Sequence, residues 1–256
     1  GGRRWRAGYV VAADGSRSVL RDAAGVTMEG GRSESAFVIV DVAEDPQCPL
    51  RPERVYYYAH PAAGRRHVLL VPFAGGWRAD LMLRQGDDPQ AYSDPGQVAR
   101  FVGQVLPERY AQRVTWVSTY RFLQVVGSSF TDPSHRILLA GEAAHLFAPF
   151  GARGLNSGVP DAVCAADAIA AALDADRPAD AARAVAGFAG QRRAAALYNR
   201  DSAALALTHM RANGLRIRVR RRLAAELARR GGRAGAWLDS SPFGPKAAAR
   251  GTEEIY

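Results

Sequence analysis

Short apolar runs dominate the first half of the chain, and helical spacing of apolar residues dominates the second. Tyr9-Val10-Val11-Ala12-Ala13 reads as a short buried strand. Asp14-Gly15 ends it in a turn, and Ser16 to Asp22 starts a helix. Phe37–Val42, Val55–Ala59, His67–Pro72 and Trp77–Leu83 are rich in β-branched and aromatic residues and follow one another with short connections. Gly75-Gly76 turns between the last two, so this stretch predicts an antiparallel sheet. Pro95 to Leu106 carries Val98, Phe101, Val102 and Val105 at helical spacing with proline in the first turn, which predicts an amphipathic helix. Val114–Val125 returns to strand character, with Trp116, Tyr120 and Phe122 on alternate positions. Ile137–Ala140 is a further strand, and helices are predicted over Ala162–Leu173, 178–212 and 215–230. Gly231 to Gly235 reads as a flexible break. The tail from Ser240 reads as irregular, packed through Trp237 and Phe243.

Composition narrows the function classes. With 256 residues, 48% of them hydrophobic, the chain can bury one large core or two small ones. Charges interrupt every apolar run, so no membrane span is expected, and the start Gly1-Gly2-Arg3-Arg4-Trp5 has no signal-peptide core. The absence of an initiator methionine predicts a piece of a longer polypeptide. Two cysteines, Cys48 and Cys164, have neither pairing nor metal-ligand spacing, which fits a reducing cytoplasm. The five histidines form no zinc pattern. The net charge of +9 raises nucleic-acid binding as a possibility. Lys246 is the sole lysine, however, and much of the excess lies in Arg216, Arg218, Arg220, Arg221, Arg222, Arg229 and Arg230. Leu215, Ile217, Val219, Leu223 and Leu227 interleave with these arginines and no aromatic accompanies them, so a solvated amphipathic helix face is expected and no nucleic acid.

Two motifs carry chemistry. In the first, Val10-Val11-Ala12-Ala13 leads into Asp14-Gly15-Ser16-Arg17-Ser18-Val19-Leu20-Arg21. Gly15 permits a tight turn, Asp14 can accept hydrogen bonds from that turn, and Arg21 lies one helical turn past Ser18, where it can pair with an anion. The second runs from Gly141 to Gly158, between the Ile137–Ala140 strand and the alanine-rich helix. Such a strand, glycine-rich turn and helix bring backbone N–H groups to a helix N-terminus. Together the motifs resemble the Asp-Gly fingerprint and the Gly-Asp-Ala-Ala-His…Pro…Gly…Asn…Asp pattern of the FAD-dependent aromatic hydroxylases, the p-hydroxybenzoate hydroxylase-like flavoprotein monooxygenases. Gly141, Ala143, Ala144, His145, Pro149, Gly151, Gly154, Asn156 and Asp161 match in order; Glu142 stands where the family has Asp.

The resemblance implies an α+β / α/β fold. On that resemblance it would be a remnant of a Rossmann-like FAD-binding domain without its N-terminal βαβ segment, since no Gly-x-Gly-x-x-Gly follows a strand here. That domain would comprise residues 1–32 and 127–175, interrupted by an antiparallel-sheet substrate domain at 33–126 and followed by C-terminal helices and tail at 176–256. The resemblance places FAD against Asp14, Gly15, Arg21, Gly141, Glu142, Pro149, Gly151, Gly154, Leu155 and Asn156. Glu142 would hold a ribityl hydroxyl, and the Pro149–Asn156 turn would face the isoalloxazine. It further implies NAD(P)H as co-substrate and hydroxylation of a small phenol-like aromatic through a flavin C4a-hydroperoxide, with the substrate between the sheet and that turn. An N-terminally truncated member would be inactive alone. Another flavin enzyme on the scaffold, a halogenase or reductase, is the alternative, and a basic nucleic-acid-binding protein the non-enzymatic one. His145 reads as a packed structural histidine, and Arg153 as a loop residue, either solvated or governing access to the flavin. Tyr56, Tyr57 and Tyr58 alternate faces of a strand, so at most one or two can face a substrate, and core or sheet packing is the expected role.

Overall fold

The computed structural model describes residues 3–84, 86–211, 214–229, 233–243, 248–250 and 253–254. The chain divides into two units. The first comprises Gly1–Arg32 with Leu123–Tyr256, and the second Ser33–Phe122.

The second unit is built on an antiparallel sheet. β2 (Met28–Ala43) and β6 (Val114–Gly127) are long strands that continue from the first unit, and β3 (Val55–His60), β4 (Arg66–Phe73) and β5 (Gly76–Met82) complete the strand order β3-β4-β5-β2-β6. The register pairs Val68 and Val38 with Leu81, and Leu70 and Val40 with Ala79. Strand alternation therefore puts these residues on one face, where they form a core with Trp77 and with Val98, Phe101 and Val102 of helix α2 (Pro95–Val105). Asp94 caps α2, its carboxylate accepting from the N–H groups of Gly96 and Gln97, and Pro95 occupies the first turn. The opposite face carries Ile39, Asp41, Leu69, Arg78 and Asp80. β2 is 16 residues long, although its apolar pattern starts only at Ala36; Gly30 lets the backbone approach β6, where a Cβ would meet the Gln124 carbonyl oxygen.

In the first unit, β1 (Val10–Ala12) pairs in parallel with β7 (Ile137–Leu139), Ala12 opposite Leu139. Short α1 (Val19–Ala23) follows β1, and β8 (His145–Leu146) pairs antiparallel with the end of β6. Two long helices, α3 (Arg153–Leu173) and α4 (Pro178–Arg211), pack with the strands through Ala12, Leu138, Leu139, Ala165, Ala168 and Phe188. α5 (Leu215–Ala228) and α6 (Arg233–Ser240) follow.

Several expectations need correction. Val10 and Val11 are 38% and 41% exposed, not buried; among the described residues β1 has a strand neighbour on one side only. α3 begins at Arg153, nine residues before the predicted Ala162, and runs through Gly158 and Pro160. Proline lacks the N–H for one helical bond and usually ends a helix, but packing of the long helix beyond it overrides that local signal. Arg233–Ser240 is helical where a break reaching Gly235 was expected. Arg230, Gly231, Gly232 and Lys246 lie outside the described residues, as does the Phe243 side chain. The apolar residues of α5 are not buried beneath its arginines. Leu215, Val219, Leu223 and Leu227 are exposed and line an open groove of about 860 Å³ with Trp237, over which the Arg220 guanidinium lies at 4.3 Å.

Candidate functional site

Both motif turns leave the carboxyl ends of the paired parallel strands β1 and β7, and the Ala140 N–H donates to the Ala12 carbonyl at 3.0 Å where the strands finish. In parallel α/β layers this is the edge at which ligands bind. The first turn is fixed by its own side chains. Ser18 Oγ and the Leu20 N–H donate to the Asp14 carboxylate, and Ser18 caps α1 by accepting from the Arg21 N–H at 2.9 Å. The Ser18 hydroxyl and the backbone donors hold the Asp14 carboxyl below the usual range. Gly15 supplies the turn with a φ of +85°. Arg21, read from sequence as an anion partner, is buried. Its guanidinium donates to the carbonyls of Ser16 at 3.2 Å and Ala143 at 3.4 Å, tying the first turn to the second.

The second turn is fixed from behind by a buried polar network. Asp161, on α3, accepts from the Gly141 N–H at 3.0 Å, lies 2.7 Å from His145 Nε2, and accepts from Arg192 Nε of α4 at 2.7 Å. Burial alone would raise the Asp161 carboxyl, but the hydrogen bonds and charges of His145 and Arg192 bring it below the ordinary value. His145 also stacks on Phe147 with centroids 4.6 Å apart. A second branch holds the start of α3: Arg153 Nη1 donates to Asn199 Oδ1 at 3.1 Å, and Asn199 Nδ2 donates to Ser157 Oγ at 2.9 Å. Arg153 is 1% exposed, so it is neither a solvated loop arginine nor a residue at the site's mouth. As the first residue of α3 it turns inward, beneath the helix.

In front of this scaffold lie open groups. Glu142, Pro149, Gly154, Leu155 and Asn156 are exposed, Leu155 to 76%. Gly151 (φ +78°) and Ala152 (φ +53°) bend the chain into α3, and no side chain caps the helix. The N-terminal N–H groups of a 21-residue helix therefore open outward with its dipole. A Cβ on Gly15, Gly141 or Gly154 would meet nothing within 4 Å, whereas one on Gly158 would come within 3.4 Å of the Gly141 Cα, so α3 packs close behind the second turn. Asp14, Gly15, Arg21, Gly141 and Glu142 are thus brought to one edge, with Pro149, Gly151, Gly154, Leu155 and Asn156 entering through α3. These groups suit a flavin: exposed carboxylates for hydroxyl donors, uncapped N–H groups and helix dipole for an anionic ring, and open space above glycines.

Sequence reasoning missed Arg192 and Asn199. A signal existed. The buried positions of α4 follow Val185, Phe188, Arg192, Ala195, Asn199, Ser202 and Ala206, so both polar residues sit in the apolar phase of the helix, where a polar residue requires a buried partner. Among the described residues there is no group of histidine, cysteine and carboxylate side chains able to hold a metal ion. No described helix is long and apolar enough to cross a membrane.

A family model described as "FAD binding domain" matches residues 1–184. A 3-(3-hydroxy-phenyl)propionate/3-hydroxycinnamic acid hydroxylase of Mycolicibacterium gilvum is 33% identical over 162 residues, covering 60% of this chain and 26% of that protein. The enzyme of the same description from Paraburkholderia xenovorans is 31% identical over 163 residues, covering 63% and 25%. The chain thus spans about a quarter of the length of these relatives. Among solved structures, p-nitrophenol 4-monooxygenase from Pseudomonas putida superposes with a TM-score of 0.64 at 24% identity, covering 93% of this chain and 60% of that one. A ternary complex of aklavinone-11 hydroxylase with FAD and aklavinone gives 0.64 at 23% identity, covering 80% and 38%. These two likenesses establish the shared fold.

Proposed function

This chain belongs to the FAD-dependent aromatic hydroxylase family, and from that premise we propose that its two motif turns and the start of α3 grip the ribityl and isoalloxazine parts of FAD in a monooxygenase acting on a phenol-like ring. Bound FAD would take electrons from NAD(P)H, activate dioxygen and deliver one oxygen atom to the ring. The protein's share is position and electrostatics. The Glu142 carboxylate accepts a ribityl hydroxyl. The N–H groups of α3's first turn face the edge of the ring system where negative charge gathers on reduction, stabilising it by about 0.3–2 kcal/mol. Leu155 offers a flat apolar contact beside those donors. Asp161 keeps the Gly141 turn at a fixed height, and Arg21 locks that turn to the Asp14 turn. The relatives named for hydroxyphenylpropionate point to a phenol with an acidic side chain as the substrate class.

The observation that carries this reading is the convergence of both turns at the carboxyl ends of adjacent parallel strands, with an uncapped helix N-terminus beside them. None of the residues assigned here serves an adenine, so FMN and FAD should bind alike to within a few-fold. The test is a titration of the chain with each, followed by flavin fluorescence and by amide NMR shifts. Shifts are expected at Glu142 and at Gly154 to Asn156, with affinity falling about tenfold in Glu142→Ala and largely kept in Glu142→Asp. Millimolar flavin that perturbs none of these amides refutes the proposal. For the reaction, the assay uses the natural protein that contains this chain, and NADPH oxidation stimulated by 3-(3-hydroxyphenyl)propionate is the expected outcome. Flavin-dependent oxidation that no phenol stimulates would assign a different chemistry to the scaffold.

A further inference from the structure

The second unit contains a carboxyl group that its fold does not use. Asp80 lies on β5, the middle strand of the sheet, and points away from the core: the core face takes Ala79 and Leu81 on either side of it. In register across the sheet, Tyr56 of β3 stands opposite Leu69 of β4, Leu69 opposite Asp80, and Asp80 opposite Ile39 of β2. Its two immediate cross-strand neighbours are therefore aliphatic. Asp80 Oδ1 is shielded from water and has no hydrogen-bond partner among the described residues. The nearest cation on its own strand, Arg78, is committed elsewhere, donating to both oxygens of Asp41 at 2.7 and 2.8 Å.

Aromatic rings share the face of Asp80 on the strands to either side of β5. Toward β3 and β4, Tyr56 packs on Tyr58 with centroids 4.8 Å apart and stacks on His67 at 6.1 Å. Toward β2 and β6, Phe37 and Phe122 meet at 4.8 Å, and Tyr120 meets Phe122 edge-on at 4.9 Å. Tyr120 lies near enough that the charge on Asp80 adds to burial in raising its hydroxyl. A face that carries aromatic rings and one unpartnered acceptor suits a flat ring that carries a donor. A buried polar atom without a partner costs about 1–3 kcal/mol, and a fold under selection for stability alone would place an aliphatic residue between Ile39 and Leu69.

We propose that the Asp80 carboxylate is the acceptor for the hydroxyl group of a phenolic ligand seated on the aromatic face of this sheet. This rests on the phenol-hydroxylating reading above and adds to it the residue that receives the proton. The O–H of the ring donates to Oδ1. As the ring gives electron density to an incoming electrophile, the proton passes to Asp80 and its electron pair stays on the ring oxygen, so no further reactant is needed for the transfer. Burial pushes the Asp80 carboxyl up to about 7, some three units below a phenol at about 10. Full transfer is thus about a thousandfold unfavourable in the resting complex and becomes favourable only as charge is drawn into the ring. Beside burial, the groups that set the Asp80 titration are Arg78 on its own strand, Asp41 on β2 and Arg54 before β3; Tyr120 on β6 responds to it, and Tyr56 and His67 share its face from β3 and β4.

The test uses phenol itself, with benzene as the ring that lacks the donor. The carboxyl carbon of Asp80, assigned by its loss in Asp80→Asn, is followed by NMR from pH 5 to 9 with and without each ligand. Phenol is expected to move this signal and lower its midpoint, because a donor favours the charged form; benzene should do neither. Asp80→Asn is expected to weaken phenol binding at least tenfold and leave benzene binding unchanged. An Asp80 signal that phenol does not move overturns the proposal on the wild-type protein alone. So does an Asp80→Asn protein that loses phenol and benzene equally, since that is the pattern of a merely structural carboxylate. A flavin titration that fails while the phenol response persists sinks the flavin reading and leaves Asp80 standing; the converse sinks Asp80 alone.

Discussion

Replacing Asp161 by asparagine probes the scaffold behind the candidate site most directly. Asp161 is fully buried and serves three partners: the Gly141 N–H at 3.0 Å, His145 Nε2 at 2.7 Å and Arg192 Nε at 2.7 Å. Asparagine retains one oxygen. If that oxygen stays on Arg192, the new NH2 group faces the Gly141 N–H, donor against donor. Either way the Arg192 guanidinium, itself fully buried, loses its counter-charge. Removing one member of a buried ion pair costs about 3–5 kcal/mol, a large share of the roughly 5–15 kcal/mol that holds a domain folded. At about 2–4 °C per kcal/mol for a chain of this size, the transition should fall by roughly 6–20 °C. The pH dependence has a definite sign. The folded carboxyl lies below its unfolded value of 3.8, so its contribution is complete above that pH and is lost as pH falls through the lower, folded value. Urea unfolding of both proteins at pH 7, 5 and 3 should show a gap that is constant at the first two and narrows at the third. A companion Asp161→Asn/Arg192→Leu variant should recover part of the loss, because no unpaired charge remains. A gap under about 1 kcal/mol at pH 7, or one that persists unchanged at pH 3, refutes the assignment of Asp161 as the charge that organises this network.

Two further outcomes follow from local geometry. Asp80→Asn should stabilise the protein: a folded carboxyl raised from 3.8 to about 7 penalises folding by nothing below the unfolded value, progressively more between the two, and by at most about 4 kcal/mol above pH 7. Urea midpoints should therefore agree at pH 4 and diverge at pH 8, and a pH-independent difference contradicts the reasoning. Ala152→Gly should raise stability by about 1 kcal/mol, since Ala152 holds the left-handed conformation at φ +53° where a Cβ is disfavoured; a drop in melting temperature would show that its methyl group is needed for packing.

Much of this arrangement is legible in the sequence, for reasons that differ by element. The sheet strands declare themselves because alternation and β-branching are local properties, and β3, β4 and β5 fall within a residue or two of the expected ranges. The motif turns are legible because positive φ at Gly15, Gly141 and Gly151 needs glycine at fixed offsets. The start of α3 is not, because Gly154, Gly158 and Pro160 all argue locally against a helix; only its packing with α4 holds that first stretch together. Arg153 illustrates a further limit. A charged residue between glycines reads as solvated, and its burial depends on Asn199, 46 positions away. Exposure fails in the other direction at Val10 and Val11, since a strand's apolar character says what its faces could bury and not what covers them.

Polar groups are arranged differently behind and in front of the Gly141 turn. Behind the Gly141 turn, Asp161 on α3 has its hydrogen bonds made by side chains and backbone. In front, the polar groups face outward and the helix start goes without a cap residue, although serine, threonine, aspartate or asparagine at position 152 would be the ordinary choice. A capping side chain there would occupy the N–H groups that an anionic ligand needs. Asp80 repeats the logic in the second unit, where one unsatisfied oxygen shares a face with aromatic rings. In each case a stabilising change of one residue is available and absent, and the groups left open are those we assign to the flavin at the helix start and to the phenol hydroxyl at the carboxylate. Strain or unsatisfied polarity is a reason to look for a ligand, and these two places are those to which we assign the flavin and the phenol.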